Sequence, residues 1–164
     1  MDHIRRVVIG LGSNLGERAQ NIDSAVSLLR EDHDMHVMKV SPLYETAPEG
    51  GADQPAYLNG AVLVLTSLDA GEIMARTLKI EATLGRVRAE KNASRTIDLD
   101  ILWIEGETVD EGDLVVPHAR LPERAFALRP LVDLAPDAKH AVSGDVYAEM
   151  PLAKAELNRV RDGE

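Results

Sequence analysis

Hydrophobic positions along this chain switch between a two-residue and a helical period. Val7-Val8-Ile9 is a short apolar run closed by Gly10-Leu11-Gly12-Ser13-Asn14, which predicts a strand entering a glycine turn. Ile22, Ala25, Val26 and Leu29 fall at helical spacing and predict an amphipathic helix over about 18–31. Val37 to Glu45 reads as extended, with Pro42 imposing an edge or a bend. A loop rich in Pro, Gly and Ala follows from Thr46 to Ala56, and Ala61-Val62-Leu63-Val64-Leu65 is the strongest strand signal. Asp69, with Glu72 three residues on, is a capping-box pattern that opens a helix running to about Leu84. Thr96 to Trp103 alternates apolar and acidic at its centre, as a half-buried strand does. The order β-α-β-β-α-β is that of a ferredoxin-like (split βαβ) α+β fold, with helices covering one face of a largely antiparallel sheet. Beyond residue 105, Leu114 to Pro117 predicts a short extra strand, and Arg124–Ala135 and Val146–Val160 predict accessory helices.

Composition narrows the class. At 164 residues, 45% hydrophobic and 28% charged, the chain fits one domain spanning 1–164 and is not disordered. The balance of 18 basic against 28 acidic residues argues against a nucleic-acid binder, because phosphate contacts need a basic surface. No apolar run is long enough for a membrane span, and no signal peptide is recognised, so a cytoplasmic monomer is expected. Without cysteine there is no disulfide, thiolate nucleophile or Cys-ligated zinc. Asn92-Ala93-Ser94 matches a glycosylation sequon, read as chance without an export signal.

Two features carry possible chemistry. On a strand, residues two apart share a face, so Asp98 and Asp100 point one way and Ile97, Leu99 and Ile101 the other. Adjacent carboxylates are costly without a cation, and hard oxygen ligands beside phosphate suit magnesium. An exposed strand face that happens to be acidic stays open as the plain alternative. Residues 76–95 hold six basic groups against two acidic, on a chain of net charge −10. Such a patch, ending just before two carboxylates, fits a polyphosphate of a Mg-nucleotide, since arginine forks match phosphate oxygens. Complementing a helix dipole would account for Lys79 and Arg86, but not for Arg88 through Arg95. His118, after Val116-Pro117, could bind phosphate, act as acid or base, or lie on the surface. The Gly10 to Gly16 stretch lacks the ending of a P-loop and is read as a turn.

Taken together these segments resemble the hydroxymethyldihydropterin pyrophosphokinase family of folate biosynthesis. The resemblance runs from about Ile9 to Pro136. It rests on Gly12-Ser13-Asn14-Leu15-Gly16, Ser41 to Thr46, Gln54 to Asn59, and Ile80-Glu81 with Gly85 to Arg88. It continues through Arg95 to Ile101, Val116-Pro117-His118 and Arg124 to Leu131. It implies Mg-dependent transfer of pyrophosphate from ATP to the hydroxymethyl group of a dihydropterin, with release of AMP. Asp98 and Asp100 would hold two magnesium ions, and Asp98 is also the candidate to orient or deprotonate the hydroxyl. Arg86 and Arg95 would act on the phosphates in the transition state. Glu81, Arg88, Ile101, His118 and Arg124 would lie on the ATP side, and Thr46, Ala47, Tyr57, Asn59 and Phe126 on the pterin side. Ordinary core packing remains the alternative for the two rings. The stretch Ala89 to Ser94 lacks the Trp that many members carry, and loops 46–56 and 86–95 are expected to close over the substrates. A two-metal phosphohydrolase would also use the acidic pair, but would not need Tyr57, Asn59 and Phe126 as a set. A pocket-retaining binding module without turnover is the other competing class.

Overall fold

The computed structural model describes residues 3–47, 55–85 and 96–164. Eight strands and three α-helices follow in the order β1 (Arg5–Ser13), α1 (Arg18–Glu31), β2 (Met35–Val40), β3 (Leu43–Thr46), β4 (Tyr57–Thr66), α2 (Ala70–Thr83), β5 (Asp98–Ile104), β6 (Val109–Glu111), β7 (Leu114–Val116), α3 (Ala125–Leu134) and β8 (Asn158–Arg161). The α+β architecture is built on an antiparallel sheet ordered β5-β1-β4-β3-β8, with β2 also paired to β4. Proline explains why the expected extended segment becomes two strands. Pro42 has no amide to donate, so the ladder breaks between Val40 and Leu43.

Strand alternation divides the core in two. Val7, Ile9 and Leu11 of β1, Val62 and Val64 of β4, and Leu99 and Ile101 of β5 face α1 and α2. That face meets Ile22, Ala25, Val26 and Leu29 of α1 and Ile73 and Ile80 of α2. The capping box forms as expected: the Asp69 carboxylate accepts from the Glu72 amide at 2.8 Å, and Glu72 Oε1 from the Asp69 amide at 3.2 Å. Val8, Ala61, Leu63 and Leu102 point the opposite way and pack against Leu128 and Leu131 of α3. The helices therefore do not all lie on one face, since α3 covers the second. A bulge between Val8 and Ile9 in the β1–β5 register lets Trp103 join Leu102 on the α3 side. Strict alternation would have sent Trp103 the other way.

The segment 146–160 is not a helix. It holds two single 3-10 turns, Tyr147–Glu149 and Pro151–Lys154, and then β8. Pro151 forces Met150 into an extended conformation, which no α-helix can pass through. β8 then adds to the edge of β3, Tyr44 opposite Arg159. The first glycines also differ from expectation: β1 runs through Gly10 and Gly12 to Ser13 without turning.

Candidate active site

A cleft of about 210 Å³ opens on the α3 side of the sheet, lined by side chains from β3, β4, β5 and α3. Alternation decides who reaches it. Asp98 and Asp100 project from β5 away from Leu99 and Ile101, Asp98 half-buried and Asp100 exposed. Across the ladder Asp98 is opposite Gly12 and Asp100 opposite Gly10. Both acids therefore have a cross-strand neighbour without a side chain, which lets Asn59 and Leu102 approach the strand closely. A Cβ at Gly12 would come 3.1 Å from Asn59 Oδ1, and one at Gly10 would come 3.2 Å from Leu102.

The far wall holds the polar and aromatic groups. Tyr57, Asn59, Thr46 and Ala47 line the cleft from β4 and the end of β3, with Thr46 paired to Tyr57. Asn59 is buried, and its Nδ2 donates to Thr46 Oγ1 at 2.5 Å, which fixes the amide against the strand. Arg124 and Phe126 enter from the start of α3, the guanidinium 5.7 Å from the ring centroid. Tyr57 and Phe126 are both half-buried at the cleft, and Phe126 also packs against the α3-side core.

Other expected residues lie elsewhere. Glu81 is buried on α2, where its Oε2 accepts from the Leu99 amide at 2.8 Å, behind the strand that bears the two acids. The Ile101 side chain packs in the α1–α2 core, since it is out of phase with Asp98 and Asp100. His118 is half-buried: its amide donates to the Leu102 carbonyl at 3.1 Å and its Nδ1 accepts from the Arg120 amide at 3.3 Å. Its side chain does not line the cleft. Arg86, Arg88 and Arg95 fall outside the described residues, as do 48–54 and 86–95, on which the expected loop closure rests.

Sequence reading missed two groups. Gly10, Gly12 and Gly60 form part of the lining; isolated glycines inside a strand signalled close approach, had the run not been taken for a turn. Arg18, the first residue of α1, is the second. It donates to Glu45 Oε2 at 2.7 Å and to the Ala56 carbonyl at 2.9 Å, joining the end of β3 to the start of β4. Only the tertiary arrangement shows that link.

Two carboxylates on one strand face, a buried amide and two half-exposed rings line one cleft, a set of groups of the class able to hold a flat heterocycle beside a phosphate. Comparison with known proteins gives that class a family. Residues 8–136 match the model of 7,8-dihydro-6-hydroxymethylpterin-pyrophosphokinase (HPPK). The chain is 42% identical over 142 residues to the 2-amino-4-hydroxy-6-hydroxymethyldihydropteridine pyrophosphokinase of Bacillus subtilis, covering 86% of this chain and 85% of that one. It is 41% identical to the enzyme of the same name from Methylorubrum extorquens, covering 91% and 92%. The folic acid synthesis protein fol1 of Schizosaccharomyces pombe is 37% identical over 90% of this chain, which spans only 19% of that protein. In fold, the chain is similar to Plasmodium falciparum HPPK-DHPS solved with pteroate, at a TM-score of 0.70 and 17% identity, over 93% of this chain and 42% of that one. This chain belongs to the 7,8-dihydro-6-hydroxymethylpterin-pyrophosphokinase family.

Proposed function

We propose that the cleft is where this pyrophosphokinase, a transferase of folate biosynthesis, brings ATP and hydroxymethyldihydropterin together. The observation that carries the reading is the convergence of Asp98 and Asp100 with Tyr57, Asn59, Thr46 and Phe126 on one cleft. At about 210 Å³ that cleft suits a single bicyclic ring, being smaller than the roughly 300–1,000 Å³ of drug-sized pockets. The pterin lies between Tyr57 and Phe126, with Asn59 and Thr46 at its polar edge. The nucleotide phosphates lie over Asp98 and Asp100, with Arg124 beside them; Arg86, Arg88 and Arg95, outside the described residues, supply further positive charge.

The donor set fits magnesium. Among the described residues no group of three His, Cys, Asp or Glu forms a protein cage. Two hard carboxylates that leave the other positions to phosphate and water are the usual arrangement for this ion, here two ions. When bound, magnesium neutralises phosphate charge and orients the chain of oxygens. The protein holds the pterin hydroxyl in line with the β-phosphorus; as the new O–P bond forms, the bond from that phosphorus to the α–β bridging oxygen breaks, AMP leaves with that oxygen, and the hydroxyl proton passes to solvent. Asp98 orients the hydroxyl; with metal on its oxygens it is a weak base. Positioning and charge complementarity supply the rate.

Counted with β2 and β3 as one strand bent at Pro42, the core order becomes β5-β1-β4-β2/β3, which supports the split βαβ arrangement. The chain's own helices cover apolar positions on both faces of the sheet, so the protein acts as a monomer, and light scattering on a sizing column should give one chain's mass.

Phosphorus NMR with ATP, magnesium and hydroxymethyldihydropterin tests the reading. AMP forming only with pterin is the expected result. ADP or free phosphate regardless of pterin would point instead to a hydrolase, and saturable binding without product to a module that has lost turnover.

A further inference from the structure

Two walls of the cleft, β3 and α3, are remote in sequence yet are joined by one buried polar link outside the cleft. Tyr44 is 2% exposed and precedes Thr46 by two residues on the same face of β3. Its phenol donates to Asp133 Oδ2 on α3. Asp133 is in turn paired with Arg129 Nε at 3.3 Å, one helical turn back. Phe126 lies seven residues before Asp133, two turns and about 10 Å along the same stripe of α3. On the solvent side Arg159 of β8 stands 6.0 Å from the centre of the Tyr44 ring. Burial first, and then the neighbouring carboxylate, hold the phenol above its ordinary value of 10.0, so it stays a donor at neutral pH.

We infer that the Tyr44–Asp133–Arg129 link is a positioning device that sets the separation between Thr46 and Phe126, and so the width of the pterin slot. None of the three residues lines the cleft, and each acts through a neighbour that does. A hydrogen bond to a charged acceptor is directional and tolerates little change in length, whereas the apolar contacts of α3 with the sheet are non-directional. The link thus adds a directional tie between α3 and β3 to that apolar packing. This inference rests on the assignment of Thr46 and Phe126 to pterin.

The test measures Kd for 6-hydroxymethylpterin by its fluorescence, together with KM for ATP, kcat and thermal stability. Tyr44→Phe keeps the ring and removes only the donor. It is expected to weaken pterin binding about five- to tenfold while KM for ATP stays within about twofold. Asp133→Ala should show the same split, and the double variant should be no weaker than the worse single one, because both remove one interaction. Asp133→Asn, which keeps an oxygen acceptor for the phenol but loses the charge that pairs with Arg129, should fall between the unmodified protein and Asp133→Ala. Pterin affinity unchanged in Tyr44→Phe, or pterin and ATP affinities falling together with the melting temperature, would overturn the inference. Phe126→Ala serves as the control. If it binds pterin normally, the pterin assignment itself fails and takes this inference with it; if it loses pterin while Tyr44→Phe does not, only the link is refuted.

Discussion

At the scale of single residues, what makes the cleft is as much the absence of side chains as their presence. Gly10 and Gly12 stand opposite Asp100 and Asp98, and a Cβ at Gly12 would meet Asn59 Oδ1 at 3.1 Å. Gly12→Ala should therefore displace the Asn59 amide and its bond to Thr46. The expected outcome is pterin binding weakened about tenfold with stability changed by no more than about 1 kcal/mol, because β1 is an ordinary strand there. Fluorescence titration and a thermal melt separate the two effects. For the acids the prediction runs the other way. Asp98→Ala or Asp100→Ala should lower magnesium-dependent AMP formation by about a hundredfold or more. Removing one of two neighbouring carboxylates also relieves repulsion, so folding should be unharmed. Near-normal rates in either variant would remove that residue from the phosphate site.

At the scale of elements, α2 and β5 are coupled. Glu81, near the end of α2, accepts from the Leu99 amide between the two acids, so the helix steadies the strand that presents them. The beginning of that helix depends on Asp69, whose carboxylate closes the capping box with Glu72. Asp69→Ala should cost about 1 kcal/mol, read as a lower melting temperature. Loss of turnover beyond that expected from the shift in stability would mean that the strand itself had moved. The capping box, the periodicity of α1 and the alternation around Asp98 were all legible because each depends on neighbours within one turn or one pleat. The segment 146–160 was not. Its apolar spacing resembles a helix, while Pro151 and the free edge of β3 make it two turns and a strand. An edge awaiting a partner leaves no local trace.

For the molecule as a whole, electrostatics ties the chain's start to distant segments. Arg6 bonds Glu105 and Asp137 and stacks 5.3 Å from the Trp103 ring centre. Its hydrogen bonds hold both carboxyls below their ordinary values of 4.5 and 3.8. Depressed carboxyl values give stability that is complete above the ordinary values and is lost as pH falls through the depressed ones. The Arg6→Gln variant should consequently melt lower than the unmodified protein at about pH 7, and the gap should narrow by about pH 3, leaving the ring contact as the remainder. A gap independent of pH would assign Arg6 to packing alone. The sequence by itself determined the elements with short periods, the shared face of Asp98 and Asp100, and the family, because ordered motifs from Gly12 to Leu131 need no coordinates to be read. Tertiary structure alone decided that α3 covers the second face, that glycines form the floor, and that Tyr44 meets Asp133 across 89 residues. Those outcomes depend on which face of a sheet each strand presents and on where its edges end, and both are settled only when the sheet assembles.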